Sequence, residues 1–188
     1  VLAELMLKYG IEMFVHAARA GNPDPLAYEF GITDGYLIFT DTGHKIERAA
    51  FTGVFGGSGA VENIDVRAST VLARAITGYD HGTLDFSAVY DEIREYVAGH
   101  DPAKIAVNFS DWLAVADGIS HSQFVELESM LGRDLASRIV SAEYLISDFR
   151  SRRLSLEVAV QAMLLEVARQ NAMRKISLIV PGETTIGD

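Results

Sequence analysis

The chain has no cysteine. Disulfides and thiolate metal sites are therefore excluded. It also lacks a basic surplus. Its 16 Lys and Arg stand against 26 Asp and Glu, giving a net charge of −10 and a pI near 4.9. Such a surface repels phosphate backbones, so no nucleic-acid partner is expected. Long apolar runs are missing too. The greasiest stretch, 158–168, is broken by Gln161 and Glu166. It falls short of the roughly 20 apolar residues that span a bilayer, so no membrane is expected. No signal-peptide pattern, internal repeat or low-complexity segment is visible.

The signatures of common chemistries are absent as well. The five histidines are His16, His44, His81, His100 and His121. No two have i, i+4 spacing and there is no HExxH, so they define no metal site. His16 lies in an apolar run and reads as a hydrogen-bonded core histidine. The other four stand in loop or cap contexts and read as solvent-facing. Gly53-Val54-Phe55-Gly56-Gly57-Ser58-Gly59 lacks the Lys-Ser/Thr tail of a phosphate loop. Ser58 lacks the second glycine of a nucleophile elbow, because position 60 is Ala. Asp91, Glu92, Glu95, Glu126 and Glu128 read as solvated helix faces. The single Trp112 is expected in the core. No catalytic, cofactor-binding or metal-ligating residue is assigned.

What remains is an ordinary folded composition, 49% hydrophobic and 22% charged over 188 residues. A helix is expected over 2–9, ended by Gly10, then a buried strand over 11–17. Asn22-Pro23-Asp24-Pro25 reads as a loop. Segments 36–40 and 45–51 flank a glycine turn and predict a hairpin. A helix over 85–98 carries the stripe Phe86, Val89, Ile93, Tyr96 and Val97, and a buried strand follows at 104–109. Ser120 and Gln123 form a capping box. The helix they open turns Phe124, Leu127 and Leu131 inward and stops at Gly132. A short helix is expected over 142–150. A long helix over 155–171 is apolar on nearly every face, which normally means burial between layers. This alternation predicts an α/β class with a mixed central sheet flanked by helices on both faces, followed by the long helix. The domain boundary is placed at 150, dividing 1–150 from 151–188.

The ends read as interrupted elements. Val1 is already helical in pattern, and Pro181-Gly182-Glu183-Thr184-Thr185 reads as a turn opening a helix. A piece of a longer protein is expected.

Three segments carry a family resemblance. The first is Tyr9-Gly10-Ile11-Glu12-Met13-Phe14-Val15 followed by Asn22-Pro23-Asp24-Pro25. The second runs Ile105-Ala106-Val107-Asn108-Phe109-Ser110-Asp111-Trp112 and on to Gly118-Ile119-Ser120. The third is Val140-Ser141-Ala142-Glu143, then Arg153 and Glu157, ending in Ile179-Val180-Pro181-Gly182-Glu183-Thr184-Thr185. In this order they resemble the N-terminal half of Xaa-Pro aminopeptidases and their creatinase and prolidase relatives, the pita-bread metallopeptidases. The resemblance implies a non-catalytic N-terminal domain that shapes substrate access and oligomer assembly in a cytoplasmic hydrolase. Two divalent metal ions, such as Mn or Zn, would belong to a catalytic domain outside this chain. The implied partners are that domain, further copies of the chain as a homo-oligomer, and a peptide substrate only when the catalytic domain is present. Alone, the 188 residues are expected to be inactive. A second reading is a stand-alone α/β binding or scaffold module. A third is a small-molecule-binding domain that uses loop 53–59.

Overall fold

A computed structural model describes residues 1–19, 24–32, 34–51, 63–67 and 87–185. The glycine loop 53–59, His81, Phe86 and the start of the helix expected from 85 lie outside them, as do Asn22 and Pro23.

The chain divides into two units, Val1–Phe149 and Arg150–Asp188. Among the described residues the first unit is built on a six-stranded sheet. Its strands are β1 (Met13–Ala18), β2 (Gly35–Asp41), β3 (Ile46–Phe51), β4 (Val66–Arg67), β5 (Ile105–Val107) and β6 (Ile139–Ser141). Their order is β4-β3-β2-β1-β5-β6. The β1–β2 and β2–β3 pairs are antiparallel, while β3–β4, β1–β5 and β5–β6 are parallel. The sheet is therefore mixed, as expected.

Among the described residues its helices are α1 (Leu2–Tyr9), α2 (Pro25–Phe30), α3 (Ser87–His100), α4 (His121–Ala136) and α5 (Glu143–Ser151), which ends just past the division. A 3-10 turn spans Ala114–Ala116. The period-2 geometry of a strand sorts alternate side chains to opposite faces. Met13, Val15 and Ala17 of β1 join Tyr36 and Ile38 of β2 in one cluster, with Ile93 and Val97 of α3 and Leu127 and Leu131 of α4. Phe14 and Ala18 join Leu37 and Phe39 in another, with Leu5 and Met6 of α1, Leu26 of α2 and Leu145 and Ile146 of α5. Helices thus cover both faces, and every residue of β1 is buried.

The local devices follow the sequence closely in places. Gly10 ends α1 in the left-handed region at φ 60°. The Ser120–Gln123 capping box opens α4. Gly132 breaks α4 at φ 74°, but the helix resumes to Ala136.

Other expectations need correction. The segment at 24–25 is not loop. Asp24 is the N-cap of α2, accepting from the Leu26 and Ala27 N–H groups, and Pro25 fills its first turn. There its missing N–H costs nothing. Strand β6 was too short to leave a pattern.

The second unit holds α6 (Ser155–Ile176), five residues longer than expected from 155–171. Arg174 and Lys175 occupy its last turn, where cations suit the helix dipole. After it, Glu183 and Thr184 both donate to the Val180 carbonyl in a single turn. No residue of α6 is buried.

Candidate functional site

The densest polar cluster sits where β1 and β5 end side by side. Asn108 follows the last residue of β5. Its Oδ1 accepts from Ala17 N at 2.9 Å and its Nδ2 donates to Ala17 O at 2.9 Å. The amide side chain thereby extends the parallel ladder by one step. The Asn108 carbonyl accepts from Gly118 N and Ile119 N. Beside it, His16 Nε2 donates to the Asp24 carboxylate, 3.2 Å from Oδ2 and 3.3 Å from Oδ1. Gly118 closes the cluster. A Cβ there would lie 2.3 Å from Asp24 Oδ2 and 2.6 Å from Asn108 Nδ2. Gln123 Nε2 donates to Ala18 O, tying α4 to the end of β1.

His16 is fully buried, and Asp24 and Asn108 are nearly so. Burial opposes ionisation of Asp24. His16 and the two α2 N–H groups outweigh it and hold the carboxyl below its usual range. His16 is therefore the core histidine its sequence context suggested. Its Nδ1 has no hydrogen-bond partner among the described residues. With the imidazole closed to solvent, the cluster locks strand ends together rather than presenting a reactive group.

A second polar group lies between α3 and α4. Tyr90 donates its hydroxyl to Glu126, which is half-buried rather than solvated as expected. The cleft around them holds ≈ 430 Å³, with Asp91, Arg94, Ser122 and Ser129 on its walls. Burial and the Glu126 carboxylate push the Tyr90 phenol up.

The other described histidines, His44, His100 and His121, do not converge. His44 and His121 are exposed. His100 caps its own helix, with Nδ1 2.9 Å from Tyr96 O, and its Nε2 lies 3.4 Å from Glu47. Among the described residues no three His, Asp or Glu side chains could hold a metal ion. The two metals implied by the family resemblance therefore find no ligand set there.

Trp112 corrects the sequence reading. It is 57% exposed, not core. Ser110 explains the placement. Its hydroxyl oxygen accepts from Trp112 N and Leu113 N, and its O–H donates to Glu143 Oε2. This turn holds the indole outward, 6.0 Å from the Tyr144 ring. Tyr144 in turn lies 6.4 Å from Tyr9. Serine two residues before a tryptophan was the available signal, since such hydroxyls cap local turns.

No protein-family profile matches the chain, and no curated protein matches it. A likeness to a solved structure shows the fold. The architecture is prolidase-like, the α/β fold expected for the N-terminal domain of those enzymes. The structure concerned is a Xaa-Pro dipeptidase from Bacillus anthracis, similar over 99% of this chain with a TM-score of 0.51 and 14% identity. The chain spans 44% of that protein's length. Among the described residues no helix is long and apolar enough to cross a membrane.

Proposed function

We propose that this chain is the non-catalytic N-terminal domain of a Xaa-Pro aminopeptidase-like metallopeptidase. In this reading it works in the cytoplasm, shapes access of peptide substrates and takes part in homo-oligomer assembly. The observation that carries the reading is the fold likeness to a Xaa-Pro dipeptidase over nearly the whole chain, of which it spans less than half. The ordered motifs around Asn108, Glu143 and Pro181 support it from the sequence side. The metals and the acid–base groups of the reaction belong to a further domain, so no catalytic step is assigned to these residues.

The test uses the protein expressed from its full reading frame. It should bind divalent metal and cleave Xaa-Pro peptides with Mn²⁺. Deleting residues 1–149 should leave metal binding intact while altering KM and the oligomeric state. A full-length protein that binds no metal and cleaves no such peptide would overturn the reading.

A further inference from the structure

The cleft between α3 and α4 is lined differently from the core beneath it. Ser122, Val125, Glu126 and Ser129 stand at i, i+3, i+4 and i+7 on α4, on a flank beside its core stripe. Tyr90, Asp91 and Arg94 face them from α3. Side chains of both charges therefore share one space of ≈ 430 Å³. Asp91 and Arg94 are about one helical turn apart, a spacing at which opposite charges pair. Among the described residues neither makes an ion pair or a side-chain hydrogen bond.

The floor supplies an independent observation. Tyr36 of β2 is buried in the apolar cluster against which Tyr90 packs. Its hydroxyl has no hydrogen-bond partner among the described residues. Burial first, then the neighbouring Glu126 carboxylate and Tyr90, push its phenol up. Buried polar groups are nearly always paired, so this one marks the polar arrangement around Glu126 as incomplete.

The chemistry of the ligand follows from what the cleft offers. The Glu126 and Asp91 carboxylates accept hydrogen bonds. The Tyr90 oxygen, having given its proton to Glu126, accepts as well. This set of acceptors suits an ammonium, which has donors only. Arg94, one turn further along α3, offers the planar fork that matches a carboxylate. Val125, half exposed, and Met130 supply apolar surface. Arg94 opposes a bare cation, while Asp91 and Glu126 oppose a bare anion. A molecule that carries both charges satisfies all of them.

We propose that the α3–α4 cleft binds a small zwitterion, a free amino acid with an apolar side chain, its ammonium beside Glu126 and Asp91 and its carboxylate on Arg94. The inference rests on these residues and not on the proposed function.

Leucine is the probe, titrated by calorimetry into the full 188-residue chain. Leucinamide lacks the carboxylate, and N-acetylleucine lacks the ammonium. Leucine should bind saturably, and each derivative should bind roughly tenfold more weakly or worse. Arg94→Gln should remove the preference for leucine over leucinamide. Asp91→Asn should narrow the preference over N-acetylleucine. Both positions are exposed, so the variants should fold. Glu128→Gln, at an exposed position of α4 outside the cleft, should bind leucine as the wild type does. Amide NMR shifts on adding leucine should centre on α3 and α4. No saturable heat, equal binding of leucinamide, wild-type leucine binding by Arg94→Gln, or shifts centred elsewhere would each overturn the proposal. None of these results touches the peptidase reading, which is tested through metal binding and cleavage by the full-length protein.

Discussion

Helices α4 and α6 use similar apolar side chains to opposite ends. In α4, Leu127, Met130, Leu131 and Leu135 fall on one stripe and are buried against the sheet. In α6, Val158, Val160, Met163, Leu164, Leu165 and Val167 are spread around the axis, and all are exposed. A single stripe can be covered by one neighbouring layer, whereas an all-round distribution cannot. Composition alone does not make a core. The same contrast separates Val1–Phe149, with packing on both faces of its sheet, from Arg150–Asp188.

The sharpest way to break the first unit is at Gly118. Gly118→Val would drive side-chain atoms into Asp24 and Asn108, both nearly fully buried and hydrogen-bonded. Overpacking and the loss of buried hydrogen bonds together should cost about 3–5 kcal/mol. Urea unfolding measures this, and a cost below about 1 kcal/mol would show that the cluster yields easily.

Next in size is the contrast between the helices themselves. Leu127→Ala should destabilise by about 2–5 kcal/mol, because it opens a cavity in the core. Leu165→Ala, at an exposed position, should change stability by no more than about 0.5 kcal/mol. Equal effects on thermal melting would erase the distinction between the two regions.

The smallest effect concerns acid. The Asp24 carboxyl is held below its usual range in the folded state. Its contribution is therefore complete above its unfolded pKa of about 4 and is lost as pH falls through the lower folded value. Below pH 4 the wild type should lose stability more steeply than Asp24→Asn, which has no proton to take up. Parallel pH profiles for the two proteins would remove the linkage.

Much of this organisation was legible in the sequence. The hairpin, the Gly10 terminator, the Ser120–Gln123 box and the buried strands around Val15 and Ala106 each carry a local signal that tertiary packing then obeys. Helix α2 was hidden because Asp24-Pro25 serves equally as loop and as helix start, and the helix is only six residues long. The polar cluster could not be read at all. Asn108, Gly118 and Asp24 meet only when the ends of β1 and β5 are brought together, and nothing in their local sequence pairs one with another. His16 was placed correctly from its apolar run, but its partner Asp24 was not, since that contact depends on the N-cap geometry. Trp112 was misplaced because bulk favours burial, whereas a serine hydroxyl two residues earlier turns it outward.

We propose that residues 1–149 fold without the tail and that the exposed apolar side chains of α6 take part in association. A chain ending at Phe149 tests it most directly, by calorimetry and sedimentation side by side with the 188-residue chain. The account predicts that the shorter chain melts cooperatively and sediments as a monomer, while the longer one self-associates and is returned to monomer by Leu164→Glu with Leu165→Lys. A shorter chain without a sharp transition, or a longer one that stays monomeric at high concentration, would contradict it.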